Sequence, residues 1–223
     1  YGLPYSGSIP GIIDTQMTMQ SMQMEPQDFA HLQLTGRNRR LLHEWSELKR
    51  SFEHRSGIEY RILKCNVQGL PIAYLITYHI HSICSVERIE QLNEPGVSNP
   101  PIFASLFQMR IDLPVNYPCI DAPAEFRFLT CDAEGQPIPH PWHPNIRYFG
   151  EFAGRVCLNA PDTYSGLAWS VERIAHYLSY DRYHVIQEPP YPEDFKVAEW
   201  VVKQGEPNRW VFFDQPNLAV PKM

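Results

Sequence analysis

Hydrophobic residues change their spacing along the chain, and each change predicts an element of secondary structure. Leu41, Trp45, Leu48 and Phe52 recur every three or four residues, so they form one apolar face of a helix predicted over 37–54. The residues before this helix, rich in Gly, Gln, Pro and Met, show no sustained period. The regular part of the fold is therefore expected to begin near the start of the helix.

Beyond the helix, apolar residues alternate with polar ones, as they do in strands that bury one face. Strands are predicted over 58–65, 73–84, 102–113 and 124–130, with a loop over 85–101. Successive strands joined by loops form an antiparallel meander. Because helices lie on either side of the strands in sequence, the pattern predicts an α+β fold. Its four-stranded antiparallel meander sheet is flanked by an N-terminal helix and C-terminal helices.

Two shorter helices are predicted after the strands. The first follows Ser170, its expected cap, and the second starts at Glu193 and Asp194 directly after Pro192. The apolar positions of the two helices are Val171, Ile174, Leu178, Val197, Trp200 and Val201.

Composition and charge exclude two classes of partner. Apolar residues make up 43% and charged residues 20% of the chain, as in an ordinary globular protein. A net charge of -6 is unfavourable for broad binding to a nucleic acid backbone. No apolar run reaches the length of a membrane span. We therefore expect neither nucleic acid nor membrane as a partner.

A length of 223 residues indicates one domain with extensions. Residues 1–36 are predicted as a flexible tail, 37–205 as the domain and 206–223 as a C-terminal extension. An alternative for the tail is docking on a partner through its methionines, whose side chains adapt to irregular surfaces. These methionines are Met17, Met19, Met22 and Met24.

The cysteines indicate a reducing compartment. There are five, an odd number, and no two are closely paired in sequence. This pattern favours reduced thiols in the cytoplasm over a disulfide framework. The cysteines are Cys65, Cys84, Cys119, Cys131 and Cys157.

One stretch combines motifs that carry chemistry. The tripeptide His143-Pro144-Asn145 precedes Gly154-Arg155-Val156-Cys157-Leu158-Asn159, and Trp169 then opens a helix. This order resembles the catalytic core of the ubiquitin-conjugating enzymes. Two flanking segments are similar to the family as well: Tyr117-Pro118 with Ala122-Pro123 before the fourth strand, and Pro189-Pro190-Tyr191-Pro192-Glu193-Asp194 before the last helix.

The resemblance implies an enzyme that carries an acyl group on Cys157. Cysteine suits this step because it is strongly nucleophilic even when little of it is thiolate. Asn145 is expected to stabilise negative charge on the thioester oxygen, or else to hold the loop in shape. Asp194 is expected to position the attacking amine and ease its loss of a proton. Arg155 is a nearby cation that would favour a thiolate.

The remaining site residues are expected to shape the site. The His143 imidazole is expected to bond local backbone, and Pro144 to stiffen the turn. Asn159 stands where the family often has an acidic residue.

The resemblance also implies partners, all of them proteins. The enzyme would accept a ubiquitin-like modifier from an activating enzyme and pass it to a lysine of a protein substrate, without a cofactor. The first helix of the family presents basic residues to the activating enzyme, and here Arg37, Arg39 and Arg40 match that position.

Several departures from the family pattern suggest a remote branch. Asn145 and Cys157 are twelve positions apart, more than is usual, and the interval from Cys157 to Trp169 is also stretched. The glycine-rich turn between the second and third strands is replaced by residues 86–101. These changes suggest conjugation systems of bacterial operons, including those of antiviral defence.

Three other functions are compatible with parts of this pattern. A non-catalytic relative would hold a modifier or partner protein without using the thiol. A zinc site would take ligands from His140, His143, Cys131 and Cys157, although their spacing lacks the usual ligand pairs. A cysteine protease would need a histidine to activate the thiol and an Asn or Asp to orient it.

Overall fold

The computed structural model describes residues 24–211, apart from 30, 31, 35, 120, 159–165, 187 and 190. Its helices are α1 (Gly36–Phe52), α2 (Leu167–Leu178) and α3 (Phe195–Trp200), and α3 continues into a π-helical turn (Val201–Gly205). Its strands are β1 (Ile58–Cys65), β2 (Pro71–Tyr78), β3 (Ser82–Val86), β4 (Pro101–Ala104), β5 (Phe107–Asp112) and β6 (Glu125–Phe128). Short 3-10 helices span Pro26–Phe29 and Ile89–Gln91.

The main sheet has four antiparallel strands in the order β1-β2-β5-β6. The predicted α+β class and the four-stranded antiparallel sheet are therefore confirmed. The segments 73–84 and 102–113, predicted as single strands, each divide into two. The end of the first segment, β3, and the start of the second, β4, pair as a separate two-stranded sheet.

The division follows from a change in which core the chain faces. Tyr78 pairs with Phe107 at the end of the main sheet, and pairing resumes at Ser82 and Ala104. Buried Ile80 belongs to the core beneath the main sheet, whereas Ile83, three residues later, belongs to a second core. Within β3, Ile83 and Val86 belong to the second core and Cys84 to the first, so alternation lets this strand serve both cores, whereas Tyr74, Ile76 and Tyr78 of β2 belong to the first core.

The first core lies between α1, α2 and the inner face of the main sheet. Leu41, Trp45 and Leu48 of α1 are almost fully buried there, which confirms the apolar face predicted for that helix. Tyr78 of β2 donates a hydrogen bond from its hydroxyl to the carbonyl of Val171 at 3.1 Å, so it joins the sheet to α2.

The second core is aromatic and lies between the β3–β4 hairpin and α3. Trp142 and Trp200 are both fully buried, with ring centroids 5.8 Å apart. Asn99, near the end of the hairpin loop, accepts the Trp200 indole N–H on its carbonyl at 2.9 Å. The Asn99 side chain, fully buried, bonds Gln204 and the carbonyls of Glu87 and Arg88. The long loop predicted over 85–101 is thus held against the C-terminal helix.

Both predicted extensions contribute residues to these cores. Phe29 is 2% exposed and packs edge-on against Trp45, with ring centroids 5.9 Å apart. Val211 is 1% exposed and belongs to the second core. The packed part of the chain therefore extends beyond 37–205 on both sides. Residues 1–23 and 212–223, with Met17, Met19 and Met22, lie outside the described residues.

Among the described residues, none of the helices combines the length and apolar character needed to cross a membrane.

The packing of Phe29 gives a test of the upstream segment. Phe29→Ala should lower the free energy of unfolding by about 3 kcal/mol, because it empties a buried aromatic site. Leu32→Ala, at a side chain 44% exposed in the same segment, should cost less than about 1 kcal/mol. Urea unfolding followed by tryptophan fluorescence measures both. Equal effects of the two changes would contradict the packing of this segment.

Candidate functional site

A short extended segment, 154–157, carries the candidate nucleophile along the edge of the main sheet. The carbonyl of Gly154 accepts the N–H of Phe128 at 2.8 Å, and the N–H of Val156 donates to the carbonyl of Phe126 at 3.1 Å. Gly154 has a φ of +85°, and a β-carbon there would lie 2.1 Å from the carbonyl oxygen of Phe128. Only glycine fits this close approach.

The other side of this segment is held by the residues that follow the His-Pro-Asn tripeptide. Cys157 donates its N–H to the carbonyl of Asn145 at 2.8 Å, and Ile146 pairs with Val156. Arg147 exchanges backbone hydrogen bonds with Gly154 and Arg155, each 2.8 Å long. The twelve positions between Asn145 and Cys157 thus form a hairpin, and we call residues 145–157 the site hairpin.

His143 supports the start of the site hairpin through its ring. The fully buried imidazole accepts the N–H of Asn145 on Nδ1 at 3.1 Å and donates from Nε2 to the carbonyl of Arg182 at 3.1 Å. This arrangement requires the neutral tautomer with the proton on Nε2. Burial lowers the pKa of His143 to about 3, and the hydrogen bond to Arg182 opposes that shift. The ring thus bonds one neighbouring and one distant backbone group.

Asn145 links three parts of the site. Its backbone bonds His143 and Cys157, and its side-chain oxygen accepts the N–H of His184 at 3.0 Å. The residue is only 2% exposed. Of its two expected roles, the holding of the loop is visible in these bonds. Stabilisation of an oxyanion would have to come from the amide Nδ2, which is the donor atom.

Asp194 binds the site hairpin to α3. One carboxylate oxygen accepts the N–H groups of Lys196 and Val197 at 3.1 and 3.3 Å, so Asp194 caps the helix. The other oxygen accepts the N–H groups of Tyr148 and Phe149 at 2.9 and 3.4 Å. The carboxylate is 3% exposed and surrounded by backbone donors. This position suits a residue that orients the site hairpin better than one that touches an incoming amine.

The tripeptide completes the connection, because the carbonyl of Pro144 accepts the N–H of Asp194 at 3.0 Å. His143, Pro144, Asn145, Cys157 and Asp194 therefore form one connected set, although they span more than fifty positions of the chain. Asn159 lies outside the described residues.

Two residues of α2 that the sequence analysis did not single out also reach this set. Arg173 donates from Nε, and Tyr177 from its hydroxyl, to the carbonyl of Leu158, both at 3.1 Å. The Tyr177 ring stacks on His143 at 4.9 Å. Burial raises the pKa of Tyr177, and a smaller contribution in the same direction comes from the charge of Cys157. The sequence signal that could have identified these residues is a spacing of four, which places Trp169, Arg173 and Tyr177 on one face of the helix.

Arg155, two residues before the candidate nucleophile, is bound by a carboxylate. Arg155 donates to Glu193 from Nε and from a terminal nitrogen, at 2.9 and 2.7 Å, and Arg147 reaches the same oxygen at 3.3 Å. The expected support of a thiolate by Arg155 is therefore reduced, because Glu193 offsets its charge.

The three basic residues of α1 differ in their surroundings. Arg37 donates to the carbonyl of Pro114 at 3.1 Å, and Arg40 forms an ion pair with Glu44 at 2.7 Å. Arg39 is exposed and donates to the carbonyl of Leu34. Arg39 is thus the member of the trio that α1 presents most openly to a partner.

Glu44, a residue absent from the predicted site, caps α2. Its buried carboxylate accepts the N–H of Leu167 and the hydroxyl of Tyr117, both at 2.8 Å. The predicted cap, Ser170, lies inside the helix and donates its hydroxyl to the carbonyl of Gly166. The prediction failed because the cap comes from a different helix, far away in sequence.

The structure also bears on two alternatives. Within the described part of the chain, no group of three or more His, Cys, Asp and Glu side chains is placed to hold a metal ion. The zinc set of His140, His143, Cys131 and Cys157 is therefore not such a group. Both nitrogens of His143 bond backbone groups, so a protease mechanism would need another histidine as its base.

Comparisons with known proteins add one likeness. No protein-family model matches the chain, and no curated protein sequence matches it. Among solved structures it is similar to human ubiquitin-conjugating enzyme E2 G1, with a TM-score of 0.35 and 17% sequence identity. The match covers 65% of this chain and 93% of that chain. A TM-score this low carries no argument about function, which has to be drawn from the site.

Gly154 offers a test with a matched control. Gly154→Ala should lower the free energy of unfolding by about 3 kcal/mol or more, because left-handed backbone and a clash with Phe128 add together. Gly150 has nearly the same φ, +82°, and no atom within 4 Å of an added β-carbon. Gly150→Ala should therefore cost about 1 kcal/mol from the backbone alone. Urea unfolding compares them, and equal losses would contradict the close approach.

Burial of neutral His143 predicts a loss of stability in mild acid. Below its ordinary pKa of 6.5, the unfolded chain binds a proton at His143 that the folded chain does not bind. Stability should therefore fall as the pH drops from 6.5 towards 3 and be unaffected by this group above 6.5. Between pH 7.5 and 5.5 the contribution is about 1.4 kcal/mol.

Urea unfolding at the two pH values measures this contribution as the difference between wild type and His143→Gln. His54→Gln, at a side chain 92% exposed, is the control. NMR titration of the folded wild type gives a second readout. A His143 ring signal that titrates near pH 6.5 would show that the burial argument is wrong.

Proposed function

We propose that this chain is a conjugating enzyme that accepts a ubiquitin-like modifier as a thioester on Cys157 and transfers it to a lysine of a protein substrate. The observation that carries the proposal is the connection of Cys157 to Asn145, and of Pro144 to Asp194, by backbone hydrogen bonds of 2.8 and 3.0 Å. These bonds link Cys157, a half-buried cysteine, through the backbone to the other residues that the motifs selected.

The first step is an exchange between two thioesters. The Cys157 thiolate attacks the carbonyl carbon of the modifier's C-terminal thioester on the activating enzyme. The tetrahedral intermediate collapses and expels the thiolate of the activating enzyme. One carbon–sulfur bond forms and one breaks, so the exchange needs no cofactor. The site hairpin holds the Cys157 backbone on both sides, which limits the orientations of its thiol.

The second step transfers the acyl group to nitrogen. A substrate lysine, after losing a proton, attacks the thioester carbonyl, and Cys157 leaves as thiolate while an isopeptide bond forms. In this proposal the Nδ2 amide of Asn145 is the donor that stabilises the oxyanion, because its oxygen is occupied by His184. Asp194 acts as a positioning residue through Tyr148 and Phe149.

The proposed partners follow from the same reaction. The activating enzyme is expected to contact α1, where Arg39 is the exposed member of the trio Arg37, Arg39 and Arg40. The cytoplasmic setting and the link to bacterial operons and antiviral defence remain predictions from the sequence.

A non-catalytic module that holds a modifier or partner protein is the second candidate. The observation that favours it is that both polar side chains of the site, Asn145 and Asp194, are almost fully buried and bonded to backbone. A fold that had lost the reaction would still need those bonds. The two candidates differ in whether Cys157 forms a covalent adduct.

A charging assay tests the proposal. The protein is incubated with an activating enzyme, its modifier and ATP, and non-reducing gels are run on wild type and Cys157→Ser. Wild type should form an adduct that thiol reagents remove, whereas Cys157→Ser should form none or a thiol-resistant ester. Cys119→Ser and Cys131→Ser, at two exposed cysteines, are the controls and should charge like wild type.

Two results would oppose the proposal. An adduct that survives thiol and persists in Cys157→Ser would place the linkage on another residue, such as a lysine. Failure to charge with the cognate activating enzyme present would favour the non-catalytic module.

A further inference from the structure

The outer face of the main sheet carries a row of arginines in register. Arg61 lies opposite Leu75, Leu75 opposite Arg110, and Arg110 opposite Arg127. The row continues beyond β6, because Arg127 lies opposite Arg155 of the site hairpin. Directly opposite residues of antiparallel strands point to the same face, so these side chains are neighbours. We call Arg110, Arg127 and Arg155 the arginine row.

Charges of one sign placed opposite each other destabilise a sheet unless anions compensate them. Two of the three arginines have such a partner within the chain. Arg110 is bound by Asp112 at 2.6 and 2.7 Å, and Arg155 by Glu193 at 2.7 Å. Within the described part of the chain, no carboxylate forms an ion pair with Arg127, although it stands between the other two. Arg127, at the centre of the row, is therefore available to an anionic group of another molecule.

The surroundings of the row form a cleft. Its volume is about 630 Å³, and its lining includes the arginine row, Asp112 and Glu125. The lining also has apolar character, because it includes Ala124, Phe126, Leu129 and Val156. A protein segment with spaced carboxylates can place them at the arginines and keep them away from Asp112 and Glu125, and its apolar side chains can meet the apolar part of the lining. A nucleic acid backbone carries a charge at every nucleotide and cannot avoid the two acids in this way.

The arginine row also lies close to the nucleophile. Cys157 follows Arg155 by two residues in an extended segment, a separation of about 7 Å along the strand. Extending the register by the same step places Cys157 beside Glu125, which pairs with Asp112. In this register Glu125 and Asp112 lie in the same cross-strand row as Cys157, where they can attract a lysine ammonium, and the arginine row lies one step farther away.

We propose that the arginine row docks an acidic segment of the protein whose lysine is modified. Carboxylates of that segment bind Arg127 and its neighbours, and the lysine is directed towards Glu125 and Cys157. The choice of the acceptor protein as occupant rests on the proposed function, whereas the binding of an acidic segment does not.

The first test measures binding and needs no catalysis. The probe is a fluorescein-labelled peptide with one lysine followed by glutamates at alternate positions, and its control has glutamine in place of glutamate. Fluorescence anisotropy should show the glutamate peptide binding at least tenfold more tightly at low salt. Arg127→Gln should weaken that binding about tenfold, since it removes the charged donor. Arg50→Gln, at a side chain 75% exposed on α1, should not change it.

Three results would overturn the docking site. They are equal binding of the two peptides, equal losses in Arg127→Gln and Arg50→Gln, and tighter binding of a labelled oligothymidine that Arg127→Gln abolishes. The last result would assign the row to nucleic acid.

The second test concerns the acceptor and uses wild type charged on Cys157. Discharge to the lysine of the glutamate peptide should be about tenfold faster than discharge to the glutamine peptide at the same low concentration. Equal discharge rates for the two peptides would show that the arginine row does not dock the acceptor protein. If the protein fails to charge, the anisotropy measurement still decides whether the row binds an acidic segment, so the two proposals fail separately.

Discussion

The arrangement of the site depends on the hydrogen bonds that the buried carboxylate of Asp194 accepts from backbone N–H groups. A carboxylate with 3% exposure is costly unless hydrogen-bond donors surround it, and here four backbone N–H groups do so. Two of these donors begin α3, and two belong to the site hairpin. Because the N–H of Asp194 also bonds Pro144, the residue ties the tripeptide, the hairpin and the helix together. Removal of the carboxylate would leave all four donors without their partner.

Glu44 has an equivalent part on the opposite side of the first core. It caps α2 from α1 and accepts the hydroxyl of Tyr117, so one charge orders two helices and the segment before β6. α2 in turn brings Arg173 and Tyr177 to the carbonyl of Leu158, the residue after the nucleophile. The segment that carries Cys157 is therefore held by two groups of elements, one ordered by buried Asp194 and the other by buried Glu44. In the proposed reaction both acids act through the backbone that they hold, and neither has to touch a substrate.

This organisation gives the proposed chemistry a physical basis. Thioester exchange, followed by acyl transfer to an amine, needs a well-placed thiol and ordered surroundings more than it needs a strong base. Neutral His143, with both nitrogens bonded to backbone, supplies order rather than proton transfer. Charge is concentrated on the outer face of the sheet, where the arginine row and the acids beside it are exposed to partners. Structural and recognition functions are thus divided between the two faces of one sheet.

The sequence by itself determined most of the elements and predicted the members of the site. Periodicity placed α1 and the four strands of the main sheet, because a buried face imposes a fixed spacing on apolar residues. Motif order selected His143, Asn145, Cys157 and Asp194. Only the tertiary structure decided how these side chains act. The bend after Tyr78, the cap from Glu44, the pairing of Arg155 with Glu193 and the arginine row all join residues far apart in the chain. Local spacing carries no record of such contacts, since they arise from strand register and from helices packed across the core.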